Sequence, residues 1–299
     1  MAESLALVAA FFFALAATLQ QKGALGMGEV SLGSPSSFVL LAKQKIWLVG
    51  TVALLGGYAF QAAALDRGRL AVVQPLLVMT IVFALPLGYW LTSQHVGRTE
   101  VVGACVVVLG LALFTVVGEA AEGRDNAPAN EWAIVTVLVV IASVVLVVLG
   151  GRGSIGRKAA LYGAAAGILF GLSASLCKPT VEIFHDDGLW ATFSSWEFYA
   201  FALAGIIAFV IQQVSLATGR LAASVATVSV FNPLVSIFIG TLLLEERLSE
   251  PAWHKLVAYS GLALALGGAV AISRASEGEG DKEAGSSDVG QPTVPAPAT

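Results

Sequence analysis

The sequence predicts an all-α polytopic membrane protein with about nine transmembrane helices in a 4+1+4 inverted repeat. Three observations lead to this prediction: a composition poor in charge, a series of long apolar runs, and an internal repeat. The 299 residues are 57% hydrophobic and 12% charged, with a mean hydropathy of +0.83, whereas soluble domains average about 25% charged residues. So little charge does not cover the surface of a soluble protein of this length, which argues against a soluble enzyme.

Each apolar run of the sequence is long enough to cross a bilayer core as a helix, which takes about 20 residues. We expect each run to form one spanning helix, since only a helix satisfies its own backbone in lipid. The runs cover residues 4–22, 46–65, 70–92, 100–118, 132–150, 159–181, 198–218, 221–244 and 255–273.

Two segments outside the runs have their own character. Residues 34–45 begin with Ser34 as a helix N-cap and Pro35 in the first turn, but their apolar part is too short to span. They are predicted to form an interfacial helix. The tail 274–299 is acidic and rich in Gly, Ser and Pro, which predicts a disordered cytoplasmic tail.

The chain repeats itself in three matched blocks. FQAAALDRGRLA at 60–71 aligns with IQQVSLATGRLA at 211–222, and AAFFFALAATLQQK at 9–22 aligns with AAGILFGLSASLCK at 165–178. The third block pairs two glycines seven residues apart with two others at the same spacing. These are Gly103 and Gly110, matched with Gly261 and Gly268.

The repeat divides the chain into four parts. Residues 1–118 form the first repeat with helices 1–4, and residues 151–273 form the second repeat with helices 6–9. Between them, residues 119–150 hold an acidic outer loop and connector helix 5. Because one connector helix separates the repeats, the second is inverted relative to the first. Inverted repeats are typical of transporters that work by alternating access.

Basic residues in the loops predict the orientation. The loops on the side of the N-terminus carry five Lys and Arg, and those on the other side carry ten. The positive-inside rule therefore puts the N-terminus outside and the C-terminus in the cytoplasm of a plasma-membrane protein. The outer loops are acidic, which either attracts cations or follows from the exclusion of basic residues.

The polar residues deepest in the runs are amides and hydroxyls, because no Asp or Glu lies deep in any run. In lipid such groups need partners, either on another helix or on a solute. The repeat-equivalent Gln61 and Gln212 are the strongest candidates for a solute path, since inverted copies place the site at their interface. The candidate solute-lining residues are Gln61, Gln74, Gln212, Gln213, Thr227 and Asn232.

Lysines and prolines give further candidates. Lys22 and Lys178 lie near the ends of repeat-equivalent helices, where a lysine either snorkels to the interface or acts as a gate or anion contact. Proline removes a backbone hydrogen bond and frees a carbonyl, which predicts a helix break. The predicted breaks are at Pro75, Pro86, Pro179 and Pro233. A glycine ladder at 163, 167 and 171 predicts a packing face.

No catalytic triad, metal motif or phosphate loop is present, so we expect neither an enzyme nor a cofactor, and no metal ligands are identified. A net charge of −4 without a basic patch argues against nucleic acid as a partner. The expected partners are the lipid bilayer and a small solute or divalent cation, and the glycine-rich faces permit a homodimer.

Three segments resemble the drug/metabolite transporter superfamily, and within it the NIPA-type magnesium transporters. They are KQKIWLVGTVALLGGYAFQAAALDRGRLAVVQPL at 43–76, the connector helix at 132–150, and GILFGLSASLCK at 167–178. The resemblance extends over nearly all of residues 5–273. It implies a 4+1+4 transporter with its solute between helices 2, 3, 7 and 8. Where the family has a Glu and an Asn in helix 2, this chain has Thr51 and Leu54.

The leading hypothesis is therefore a transporter that moves a small solute or metabolite. The alternative is a NIPA-like magnesium or divalent-cation transporter, although Mg²⁺ prefers oxygen ligands that usually include a carboxylate. The third is a membrane scaffold or sensor without transport, for which the tail is the candidate partner surface.

Overall fold

The computed structural model describes residues 2–25, 35–67, 76–94, 96–117, 120–121, 126–244, 247–248 and 252–288. Each of the nine predicted spans overlaps a helix, and a short helix follows Ser34 as expected. The helices are α1 (Ala2–Leu25), α2 (Pro35–Leu41), α3 (Lys45–Arg67), α4 (Thr80–Thr92), α5 (Arg98–Val117), α6 (Ala129–Gly150), α7 (Ile155–Ser194), α8 (Trp196–Ala217), α9 (Leu221–Leu242) and α10 (Ala252–Asp288).

Six helices in the described part of the chain are long and apolar enough to cross a membrane, judged by length and composition. They are α1, α6, α7, α8, α9 and the Leu256–Ala275 part of α10. Helix α4 is apolar but has only 13 residues. The chain is thus a helical protein of the membrane-embedded type.

Helix α6 is the clearest lipid-facing element. Its sequence from Ile134 to Leu149 is almost entirely Val, Leu and Ile, and most of those side chains are exposed. It packs chiefly on α7. A helix that is apolar on all faces and largely uncovered by protein belongs in hydrocarbon.

The remaining long helices pack as two clusters and one pair. Helix α1 packs against α3 and α4, and α7 packs against α8 and α9. Helix α5 lies along α10. One hydrophobic core is built mainly on α7 and α8 and includes the fully buried Trp132 and Leu172, while a second includes Ile81, Leu111 and Ile272 from α4, α5 and α10.

Two of these helices begin with serine caps that fix their starting points. The hydroxyl oxygen of Ser154 accepts a hydrogen bond from the Arg157 N–H at 3.3 Å at the start of α7. The Ser195 hydroxyl accepts one from the Phe198 N–H at 3.3 Å at the start of α8. Such caps satisfy backbone donors that have no partner within the helix.

The glycine ladder of α7 is a packing face, as predicted. Gly163 faces Thr227 and Ser224, Gly167 faces Val228 and Phe231, and Gly171 faces Asn232 and Val235. All of these neighbours belong to α9. A Cβ on Gly167 would lie 2.9 Å from the Phe231 Cβ, so only glycine lets the two helices approach this closely.

The predicted helix breaks at Pro86, Pro179 and Pro233 are wrong, because α4, α7 and α9 continue through them. A proline costs one backbone hydrogen bond, and packing against neighbouring helices is enough to hold the helix around it. The backbone leaves helical geometry at Gly188 instead, with φ 81° and ψ 179°. Pro75 lies outside the described residues.

Two predicted non-helical segments also prove helical. The outer loop expected after residue 181 continues α7 as far as Ser194, with the kink at Gly188. The tail predicted to be disordered from Arg274 is helical as far as Asp288, because extending an already packed helix needs no new nucleus. Outside the helices, Ala120–Ala121 and Arg247–Leu248 form a two-residue antiparallel ladder.

Candidate functional site

Buried amides gather at one end of the bundle, where α1 and α8 end and α3 and α9 begin. Gln20 and Gln21 lie near the end of α1, and Gln213 lies in the last turns of α8; all three are buried. Trp47 near the start of α3 and Gln94 after the end of α4 complete the group. We call these five residues the amide cluster.

The first hydrogen-bond chain in the amide cluster joins three helices. The indole N–H of Trp47 donates to Gln213 Oε1 at 2.8 Å. Gln213 Nε2 in turn donates to Gln20 Oε1 at 3.0 Å. The ring of Trp47 also packs edge-on against Phe209. The start of α3, the end of α8 and the end of α1 are thereby tied together.

The second chain joins α9, the end of α4 and α1. The backbone N–H of Leu221, at the start of α9, donates to Gln94 Oε1 at 3.2 Å. Gln94 Nε2 donates to Gln21 Oε1. Both chains therefore end on neighbouring amides of α1.

The two chains run in one direction, because each begins at a group that can only donate. An indole N–H and a backbone N–H have no acceptor atom, so each fixes which end of the next amide faces it. The free end of each chain is consequently a side-chain NH₂ group. These groups are Nε2 of Gln20 and Nε2 of Gln21, which are buried without an acceptor among the described residues.

A pair of serines supports this end of the bundle. The Ser215 hydroxyl, fully buried in α8, donates to the Ala159 carbonyl of α7 at 2.7 Å. The Ser224 hydroxyl of α9 donates to the Ser215 carbonyl at 3.1 Å. Polar contacts between helices of this kind are worth roughly 0.6 kcal/mol each in membrane proteins.

The predicted pair Gln61 and Gln212 does not form one site. The start of α3 meets the end of α8 through Trp47 and Gln213, so the two helices run in opposite directions. Gln61 lies fourteen residues after Trp47, which is about 21 Å of helix rise, whereas Gln212 adjoins Gln213. An inverted repeat would place equivalent residues at opposite ends of the bundle unless they lay at its middle.

The other predicted lining residues have different surroundings. Gln213 belongs to the amide cluster, and Gln61, Gln212 and Asn232 are half-buried. The Thr227 hydroxyl is buried and donates within α9, to the Ala223 carbonyl at 2.8 Å. Gln74 lies outside the described residues.

The two lysines differ in exposure. Lys22 is exposed and follows Gln21 directly, at the end of α1 that carries the amide cluster. Lys178 is half-buried within α7, one residue before Pro179. Their predicted role as gate or anion contacts stays a prediction.

The opposite end of the bundle has a smaller polar group around Asn126. Its Oδ1 accepts hydrogen bonds from Trp132 Nε1 at 2.9 Å and from the Ala127 N–H at 2.8 Å. Its Nδ2 donates to Glu197 Oε1 at 3.2 Å. Both Trp132 and Glu197 are buried. Asn126 thus anchors the start of α6 to the start of α8.

Sequence reasoning missed four residues of the amide cluster: Gln20, Gln21, Trp47 and Gln94. Two consecutive amides in the otherwise apolar run of α1 were a usable signal, since amides inside a span need partners. Trp47 carried no such signal, because tryptophan is common at membrane interfaces. Gln94 follows the predicted span 70–92, at a position where we expected a loop.

The described residues contain no group of three His, Cys, Asp or Glu side chains that could hold a metal ion. No family model matches the chain, and no solved structure matches it. The chain is 29% identical over 237 residues to an uncharacterized protein of Corynebacterium glutamicum. The aligned region covers 77% of this chain and 80% of that protein.

Proposed function

We propose that this protein is a multi-pass transporter that moves a small solute across the plasma membrane by alternating access between two inverted halves. The halves are residues 1–118 and 151–273, with α6 as the connector between them. The proposal places the N-terminus outside and the amide cluster at the cytoplasmic end. It agrees with the resemblance of the sequence to the drug/metabolite transporter superfamily.

The observation that carries the proposal is the contact between α5 and α10. A Cβ on Gly268 would lie 2.7 Å from the Gly103 carbonyl oxygen, and one on Gly103 would lie 3.1 Å from the Gly268 oxygen. Gly110 and Gly261 face each other's carbonyl oxygens in the same reciprocal way. We call this contact the glycine seam.

The glycine seam has the pattern that a two-fold axis generates. The sequence repeat matches Gly103 with Gly261 and Gly110 with Gly268. A two-fold axis would therefore convert the contact of Gly103 with Gly268 into the contact of Gly261 with Gly110, and both are present. The axis would pass between α5 and α10, in the membrane plane.

Helix packing supports the same relationship. Helix α1 packs on α3 and α4, while its repeat equivalent α7 packs on α8 and α9, the equivalents of those two helices. Two similar halves of opposite orientation provide two related packings, one open to each side of the membrane. Alternating access uses such a pair of packings.

The chemistry of the amide cluster favours a solute that carries acceptor oxygens. Its free ends are the NH₂ groups of Gln20 and Gln21, which are donors. Donors bind carboxylate, phosphate or carbonyl oxygens and repel a bare cation. Magnesium instead requires a shell of ligand oxygens. We therefore place an oxygen-bearing solute ahead of a divalent cation.

Uptake into proteoliposomes tests the proposal. Vesicles with the purified protein are exposed to a deproteinised extract of uniformly ¹⁴C-labelled bacterial cells, and retained label is separated and identified. We expect saturable accumulation of a small oxygen-bearing compound above that of protein-free vesicles. Parallel vesicles hold a Mg²⁺-sensitive dye. A saturable Mg²⁺ signal without retained ¹⁴C would overturn the solute proposal in favour of the cation transporter. The absence of both signals would overturn the proposal that the protein is a transporter.

A further inference from the structure

We propose that the amide cluster is the latch that closes one mouth of the transporter, and that the structure represents the state closed at the Lys22 end. This inference rests on the proposed function, because a latch is needed only in a transporter whose mouth opens and closes. It identifies which hydrogen bonds must break for the mouth to open.

The bonds of the amide cluster join the two halves. Trp47 and Gln20 belong to the first half and bond to Gln213 of the second. Gln94 belongs to the first half and accepts from Leu221 of the second. All three bonds lie at the same end. A rocking motion that separates the halves at this end would break them together.

Helix packing shows the same asymmetry. Helix α1 of the first half contacts α8 of the second. The repeat-equivalent contact would join α7 to α3 at the other end of the bundle. Within the described ranges, α3 and α7 have no contact of comparable extent. Helices α1 and α8 therefore bring the halves together at the Lys22 end, whereas their repeat equivalents α7 and α3 do not do so at the opposite end.

The latch chemistry is specific to one end. Under the repeat, Gln20 corresponds to Leu176, Gln21 to Cys177 and Trp47 to Phe198. Leu176 is fully buried and cannot form these bonds. The second mouth would therefore close through apolar contacts, and only the Lys22 end is held by amides.

The unsatisfied NH₂ groups explain why this closure is reversible. A buried donor without an acceptor is costly, and the same donor is satisfied by water once the mouth opens. The closed state thus gains three side-chain hydrogen bonds between the halves and bears two unsatisfied amides, Gln20 Nε2 and Gln21 Nε2. Opposing terms of this kind keep the closed and open states close in free energy, as population shifts require.

Thiol labelling tests the latch without any solute. Ala17, buried one turn before Gln21 in α1, is replaced by cysteine in a chain whose own Cys105 and Cys177 are alanine. A charged maleimide then reports water access to this position in detergent. Gln213→Met is compared with Gln212→Met, because the two neighbours are chemically identical and Gln212 is outside the amide cluster.

We expect Gln213→Met to accelerate labelling about tenfold, because it removes two hydrogen bonds between helices of the strength found in membrane proteins. Gln212→Met should leave the labelling rate within about twofold of the parent rate. A second thiol at Ala6, which is fully buried near the other end of α1, should stay protected in both variants. Equal labelling of Ala17 in the two variants overturns the latch. Accelerated labelling of Ala6 as well shows general loosening and also overturns it.

A replacement variant and a comparison with solute uptake complete the test. If Gln213→Met cannot be purified as a folded protein, Gln94→Met replaces it, since Gln94 is half-buried and its loss breaks the second chain. The same accelerated labelling is expected. Solute uptake without accelerated labelling overturns the latch alone, whereas accelerated labelling without any uptake retains the closure and overturns the transport function.

Discussion

The indole N–H of Trp47 donates to the side-chain oxygen of Gln213 over 2.8 Å, across 166 residues of sequence. The bond joins the first turn of α3 to the last turns of α8. It also fixes the direction of the hydrogen-bond chain that ends on Gln20. One aromatic donor thus determines how two glutamines of different helices are oriented.

Replacing Trp47 by phenylalanine should destabilise the protein, because it removes the donor and retains an aromatic ring against Phe209. Gln213 Oε1 is then buried without its partner, which is expected to cost about 1 kcal/mol. Thermal unfolding in detergent measures the change. Trp190→Phe is the control, since Trp190 is 84% exposed and its substitution should leave the midpoint unchanged. Equal shifts in both variants would contradict the role of the Trp47 bond.

Alanine at two adjacent glycines of α10 should have opposite effects. At Gly268 the new Cβ would lie 2.7 Å from the Gly103 carbonyl oxygen, and overpacking should cost about 1–3 kcal/mol. At Gly267 the new Cβ meets nothing within 4 Å, so the helix propensity of alanine should stabilise by up to about 1 kcal/mol. The difference between the two unfolding midpoints is the measurement. A stable Gly268→Ala protein would show that the seam tolerates a side chain.

Asn126→Ala should loosen the end of the bundle opposite the amide cluster. The substitution removes acceptors for Trp132 Nε1 and the Ala127 N–H, and it removes the donor to Glu197. We expect a loss of about 2–3 kcal/mol, since buried polar groups are left unsatisfied. Hydrogen–deuterium exchange over the first turns of α6 and α8 should rise.

The control for that experiment is Asn130→Ala, four residues further on, because Asn130 is exposed in the first turn of α6. Unchanged exchange in Asn126→Ala would mean that the hydrogen bonds of Asn126 do not hold α6 against α8.

Asn232→Leu should lower solute uptake without lowering stability. Asn232 is half-buried in α9, and no hydrogen bond of its side chain to a described residue is present. Its amide is therefore available to a solute, and its loss should reduce uptake about tenfold, as one lost hydrogen bond to a charged group would. Ser260→Ala, at an exposed position of α10, should retain full uptake. Equal uptake by Asn232→Leu and the parent protein would remove Asn232 from the solute path.

Helix positions could be predicted from the sequence because hydrophobic runs of about 20 residues have few alternatives to a helix. The ends of helices were predicted less well. Pro179 suggested a break that packing prevented, and the acidic residues before Gly188 suggested a loop where α7 continues. Such outcomes depend on tertiary neighbours, which local composition does not describe.

The candidate site was only partly predictable for a related reason. The sequence identified amides as the important polar groups and selected Gln213 among them. The partner of Gln213 on α1 depends on which helix ends meet, and that is a property of the packing. Symmetry reasoning favoured Gln61 and Gln212, but the structure separates those two residues along the bundle axis. Contacts between non-equivalent residues, such as Gln20 with Gln213, cannot be found by aligning the repeats.

The glycine seam has a consequence for how this gene can change. Where side chains of two helices meet, a larger side chain on one helix can be accommodated by a smaller one on its neighbour. At Gly110 and Gly261 each residue faces the backbone of the other, so neither has a side chain left to shorten. No compensating second mutation exists at such a position. We expect the four codons of the seam to be retained in descendants of this gene even where the helices around them diverge.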